Sequence, residues 1–116
     1  MHTIASLLCA FLMTAGLSGS WVFEPRIQGS IRGTLLLEQN ERKLTATLRI
    51  DNHVLKGEGQ TDGNRFDLML THADGSGPAH SERLRLAGQL DGDRIIGIFE
   101  SETDGGYWLG TRGAGQ

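Results

Sequence analysis

The stretch IRGTLLLEQNERKLTATLRIDNHVLKGEGQ, residues 31–60, decides the fold. Apolar residues recur in it at alternate positions: Leu35 and Leu37, then Leu44, Ala46, Leu48 and Ile50, then Leu55. Thr34 and Glu38 flank the first pair, with Leu36 between its members, and Thr45, Thr47 and Arg49 fill the places in the next run. A period of two sends successive side chains to opposite faces of an extended chain, so these runs read as half-buried strands and not as helices. Polar breaks at Asn40-Glu41 and Asp51-Asn52 separate them and read as hairpin turns.

Outward from this stretch the pattern continues to both sides. The alternation predicts strands over 21–24, 31–38, 43–50, 53–60, 65–71, 83–90, 94–100 and 106–112. No segment after Ser20 keeps a helical period over three turns. The expected fold is therefore all-β, a small eight-stranded antiparallel up-and-down barrel, with a two-sheet β-sandwich as the alternative.

Register follows from keeping one face apolar across each turn. A turn at Asn40-Glu41 pairs Leu37 with Leu44 and Leu35 with Ala46, and on the other face Glu38 with Lys43. A turn at Asp51-Asn52 pairs Leu48 with Leu55, Ala46 with Gly57 and Leu44 with Gly59. Asp62-Gly63 is a strong two-residue turn signal. It sets Gly57 opposite Leu68, Leu55 opposite Leu70 and His53 opposite His72, at the cost of facing Glu58 with Asp67. Asp91-Gly92 sets Gly88 opposite Ile95 and Leu86 opposite Gly97. Small inner residues thus face large ones, as a narrow barrel needs if its interior is to fill without overpacking.

Composition narrows the function. The 116 residues include 17 glycines and one cysteine, and the net charge is −3. A single cysteine excludes a disulfide scaffold. A mildly acidic chain lacks the basic face that a nucleic-acid backbone requires. Residues 4–17 form an apolar run, IASLLCAFLMTAGL, followed by Ser18, Gly19 and Ser20. The run is short for a membrane span, which needs about 20 residues. Its layout is that of a signal peptide cut near Ser18 or Ser20, or of an uncleaved anchor. The expected organisation is a leader or anchor over 1–20, one barrel domain over 21–112 and a flexible tail over 113–116. The expected location is outside the cytoplasm, periplasmic or extracellular.

Antiparallel order sends the tight turns to one end of the barrel. The connections 25–30, 51–52, 72–82 and 101–105 go to the other, which becomes a looped mouth. Gly19-Ser20-Trp21 is similar to the G-x-W that opens the first strand of calycins, the lipocalin and avidin-like barrels. In that family a basic residue late in the last strand crosses this tryptophan at the closed end, and Arg112 matches it in position. The resemblance implies a barrel that holds a small molecule, with Trp21 and Arg112 as structural residues. The chain departs from the family in its shorter length and in lacking a T-D-Y motif. Its apolar interior also lacks the polar set of an avidin site, so biotin binding is not implied.

Candidate site residues cluster at the mouth. His53 and His72 face inward there above Leu55, Leu70, Ile50 and Phe99, and this group is the expected ligand site. Two imidazoles with His80 or Asp74 from the adjoining loop make a metal site conceivable, and the pair also suits a pH-sensitive gate. Solvated rim residues are the plainer reading. The Asp-Gly pairs read as turns and not as calcium loops, because none continues into a twelve-residue ligand spacing. No nucleophile elbow or convergent polar set suggests catalysis, and no cofactor is expected. The leading expectation is a non-catalytic barrel binding a small apolar or amphipathic ligand at its mouth. The alternative is a solid-core interaction or inhibitor module that binds an envelope protein through its loops. A metal-dependent enzyme ranks third. Tyr107 and Trp108 are neighbours in one strand, so one lies inside and the other is a surface aromatic.

Overall fold

The computed structural model describes residues 16–26, 32–72 and 83–113. Eight antiparallel strands close into one barrel in chain order. They are β1 (Gly19–Pro25), β2 (Gly33–Asn40), β3 (Lys43–Ile50), β4 (His53–Thr61), β5 (Arg65–His72), β6 (Arg83–Asp91), β7 (Arg94–Glu100) and β8 (Gly105–Arg112). The seam pairs β1 with β8, with Trp21 opposite Arg112 and Phe23 opposite Gly110. Closure leaves neither strand as an open edge and rules out the two-sheet sandwich. The barrel starts at Gly19, ahead of the expected Trp21. Ile31, expected in the second strand, lies outside the described residues.

Among the described residues the expected inward positions share the inner face, but three hairpins are shifted by two residues. In the first, Leu37 meets Ala46 and Leu35 meets Leu48, while Glu38 faces Thr45 instead of Lys43. In the third, Leu55 meets His72, Gly57 meets Leu70 and Gly59 meets Leu68. In the fourth, Gly88 meets Gly97 and Leu86 meets Phe99. The β3–β4 hairpin has the expected register, with Leu48 opposite Leu55 and Leu44 opposite Gly59.

The turn backbone explains the shift. Positive φ falls on Glu41, Asp51, Gly63 and Gly92. Gly63 is the middle residue of the loop 62–64, whereas Glu41, Asp51 and Gly92 each lead a two-residue loop, followed by Arg42, Asn52 and Asp93. That is the φ pattern of a II′ turn, which wants its glycine first, whereas the expected loops placed glycine second as in a I′ turn. A shift of two preserves the face of every side chain. It also separates Glu58 from Asp67, which now face Met69 and Gln60.

One cluster fills the interior. Trp21, Leu35, Leu44, Leu48, Leu70, Leu86 and Ile95 are completely buried, and Trp108 and Phe23 nearly so. The inner glycines give room to neighbours. A methyl group on Gly88 would come within 2.8 Å of Phe66 and Ile95, and one on Gly97 within 2.5 Å of Trp108 Nε1. Trp108 leans on Phe23 at 5.0 Å between ring centroids. Its indole N–H donates to the carbonyls of Ile98 at 3.0 Å and Ala87 at 3.2 Å, so this large side chain is both buried and satisfied.

Candidate functional site

The two ends of the barrel differ in chemistry. At the closed end the hairpin loops 41–42, 62–64 and 92–93 meet the start of β1 and the end of β8. The Arg112 guanidinium lies over the Trp21 ring at 4.1 Å, so these two residues do meet as expected. At the open end the described connections are the 51–52 turn and the 101–104 loop. Ser101 ties that loop down, since its hydroxyl accepts from the Asp104 N–H at 2.9 Å and its own N–H donates to the Asp104 carbonyl at 2.7 Å. His80 and Asp74, proposed from sequence as further metal ligands, lie outside the described residues.

His53 and His72 are at the open end but not directly opposite. His53 pairs with Ile50 across β3, and His72 pairs with Leu55 across β4. The two-residue register shift staggers them on the same inward-facing side. Their rings still meet edge to face, 5.6 Å between centroids. Two imidazoles on one tetrahedral zinc, with nitrogens about 2.0–2.1 Å from the metal, put their centroids roughly 5 Å apart, so the spacing suits a shared ion. Among the described residues no group of three or more histidine, cysteine or acidic side chains adds to the pair. His53 is exposed and His72 half-buried, which suits a rim open to solvent.

Below the histidines the expected binding residues pack into the core cluster or against it. Leu70 is fully buried, Leu55 and Phe99 nearly so, and Ile50 packs against them from the rim. Phe99 lies over Gly106, where a methyl group would come 3.2 Å from its ring. Among the described residues no buried side-chain nitrogen or oxygen lacks a hydrogen-bond partner. The wall therefore presents no orphaned polar atom to a ligand.

Two features escaped the sequence reading. Thr61 is the buried polar residue of the wall. Its hydroxyl donates to the Arg65 carbonyl at 2.8 Å and accepts from the Gly63 N–H at 2.9 Å, clamping the third hairpin. The second feature is an outward apolar strip. Ile96 and Ile98 on β7 are about half exposed, and Tyr107, paired with Ile98, is 69% exposed. Trp108 is thus the inner aromatic and Tyr107 the outer one. The signal for the strip is visible in Arg94–Glu100, where isoleucine occupies two successive outward places, while β2 and β5 each expose a single large apolar residue, Leu36 and Met69.

Charge is confined to the outside and the turns. Arg85 donates to Asp67 through Nη2 at 2.7 Å and Nε at 3.1 Å, and reaches Glu100 at 3.7 Å. The guanidinium holds the Asp67 carboxyl below the usual carboxylate range, and the two acids raise Arg85 in turn. Asp62 is also lowered, because the N–H groups of Arg65 and Asn64 donate to its carboxylate. These groups brace the outside of the barrel, from Asp62 at the closed end to Glu100 beside the 101–104 loop. A scan against family models, a search of curated proteins and a search of solved structures each found no match for this chain.

Proposed function

We propose that this protein is an exported, non-catalytic binding module with a packed interior, which engages an envelope protein through the loops of its open end. The observation that carries the reading is the filling of the inner wall. Phe66, Ile95 and Trp108 stand where Gly88 and Gly97 lack side chains, so these two glycines serve packing, which supports a solid core. Binding energy must then come from the rim and the loops, where a rigid scaffold commonly holds recognition residues.

A second reading is a small apolar or amphipathic ligand seated at the mouth on His53, His72, Ile50, Leu55, Leu70 and Phe99. The meeting of two imidazoles above an apolar floor favours it. Native mass spectrometry of the protein purified from its own envelope separates the readings. A complex with one protein, lost on deleting residues 73–79, is the expected result. A stoichiometric small-molecule adduct would replace the first reading with the second. A bound metal ion lost in His72→Ala would instead favour a metal site.

A further inference from the structure

Residues 16–20 read in the sequence as the end of the leader, yet they are built into the closed end of the barrel. Leu17 is completely buried in the main core cluster. Its carbonyl accepts the indole N–H of Trp21 at 2.9 Å. The Ser18 hydroxyl accepts the backbone N–H of Gln39 at 2.9 Å. Arg112 donates to the Ser18 carbonyl at 2.8 Å and to the Gly16 carbonyl, while its face covers Trp21. Gly19 and Ser20 pair with Leu37 and Leu36 of β2. Gly19 takes a φ of 130°, and a methyl group there would sit 2.8 Å from Arg112 Nη1, so only glycine fits under the guanidinium.

A cut near Ser18 or Ser20 would take this assembly apart. It would remove the Leu17 side chain from the core and two of the carbonyls that Arg112 holds. The Trp21 indole would lose its acceptor at a fully buried position. A cut just before Gly16 removes none of these contacts. It leaves Ala15, a small residue, immediately ahead of the bond, with the larger Met13 at the second small-residue place, and an apolar run over 4–14 that stays within the roughly 7–15 residues of a leader's apolar core.

We infer that leader processing occurs at the Ala15–Gly16 bond, so that residues 16–20 remain in the mature protein as the plug of its closed end. The inference rests on the export reading given above. The closing experiment uses the full chain expressed with its leader, as wild type and as Leu17→Ala, each purified from the envelope. N-terminal sequencing with intact mass gives the bond, and urea unfolding gives the stability.

The expected N-terminus is Gly16 in both proteins. The unfolding equilibrium of Leu17→Ala should shift roughly 30-fold or more toward the unfolded state, as for a buried leucine cut to alanine. An N-terminus at Gly19 or Trp21 overturns the inference. The two mature proteins would then be identical and would unfold together. A start upstream of Gly16 in envelope material overturns the assigned bond. Full-length protein confined to the cytoplasm instead overturns export itself. In that case the Leu17→Ala loss still reports whether the plug is part of the fold.

Discussion

Replacing Gly88 by alanine puts a methyl group where the wall already holds two side chains. That methyl carbon would lie 2.7 Å from Phe66 Cζ, 3.0 Å from Phe66 Cε2 and 2.8 Å from Ile95 Cγ2. Carbon atoms prefer about 3.5–4.0 Å, so the neighbours must retreat by roughly 0.5–1 Å. Overpacking of this kind costs about 1–3 kcal/mol. Alanine offsets roughly 0.5–1 kcal/mol of that, because it stiffens the unfolded chain relative to glycine. The net loss is about 1–2 kcal/mol. For a domain of this size that lowers Tm by roughly 5–15 °C. Phe66→Leu removes both clashing ring atoms, so the double variant Gly88→Ala/Phe66→Leu should be more stable than the sum of its parts. A double-mutant cycle in urea, read by tryptophan fluorescence, should give a coupling of about 1 kcal/mol or more. If Gly88→Ala is as stable as wild type and the two changes add independently, the barrel has room inside. The packed-interior reasoning, and the function built on it, then fails.

Three further outcomes follow from the described contacts. Thr61→Val keeps the shape of the side chain but abandons the Gly63 N–H and the Arg65 carbonyl. It should cost about 1–3 kcal/mol in urea unfolding. Asp62 has a lowered pKa in the folded state, so its contribution is fully present above the ordinary value of 3.8 and lost as pH falls through the folded value. The stability gap between wild type and Asp62→Ala should therefore stay constant near neutrality and close in acid, as measured by urea midpoints across pH. Arg85→Ala breaks exposed ion pairs with Asp67 and Glu100. It should cost little, and the loss should shrink in high salt.

The faces of the strands were legible because burial imposes a period of two, and that period survives any even shift in register. The register itself was not legible from the pattern. Leu37 packs acceptably against Leu44 or Ala46, and only the turn decides. At Asp51-Asn52 the positive φ falls on the expected first residue and the pairing is as read. At Asp91-Gly92 the glycine takes the first loop position, at Asp62-Gly63 it sits in the middle of the loop 62–64, and both hairpins slide by two. The like-charge pair of Glu58 and Asp67 was the sequence sign that the first register was strained. At the mouth, the closeness of His53 and His72 was readable from parity, but their stagger depended on that same turn. Leu17 was hidden for another reason. An apolar residue at the end of an apolar run looks like leader, and only the position of Trp21 and Arg112 in space makes it core.

The seam between β1 and β8 also sets an order of assembly. Every other strand pair joins neighbours in the sequence, whereas Trp21 must find Arg112 from the far end of the chain. Loop closure over such a separation is entropically the most demanding contact in the molecule, and non-local pairing of this kind slows folding. Until β8 arrives, β1 and β7 both expose unpaired backbone. The same pairing that removes all edges from the finished barrel therefore leaves the unfinished one with two, and makes its last strand the step that ends its exposure to aggregation.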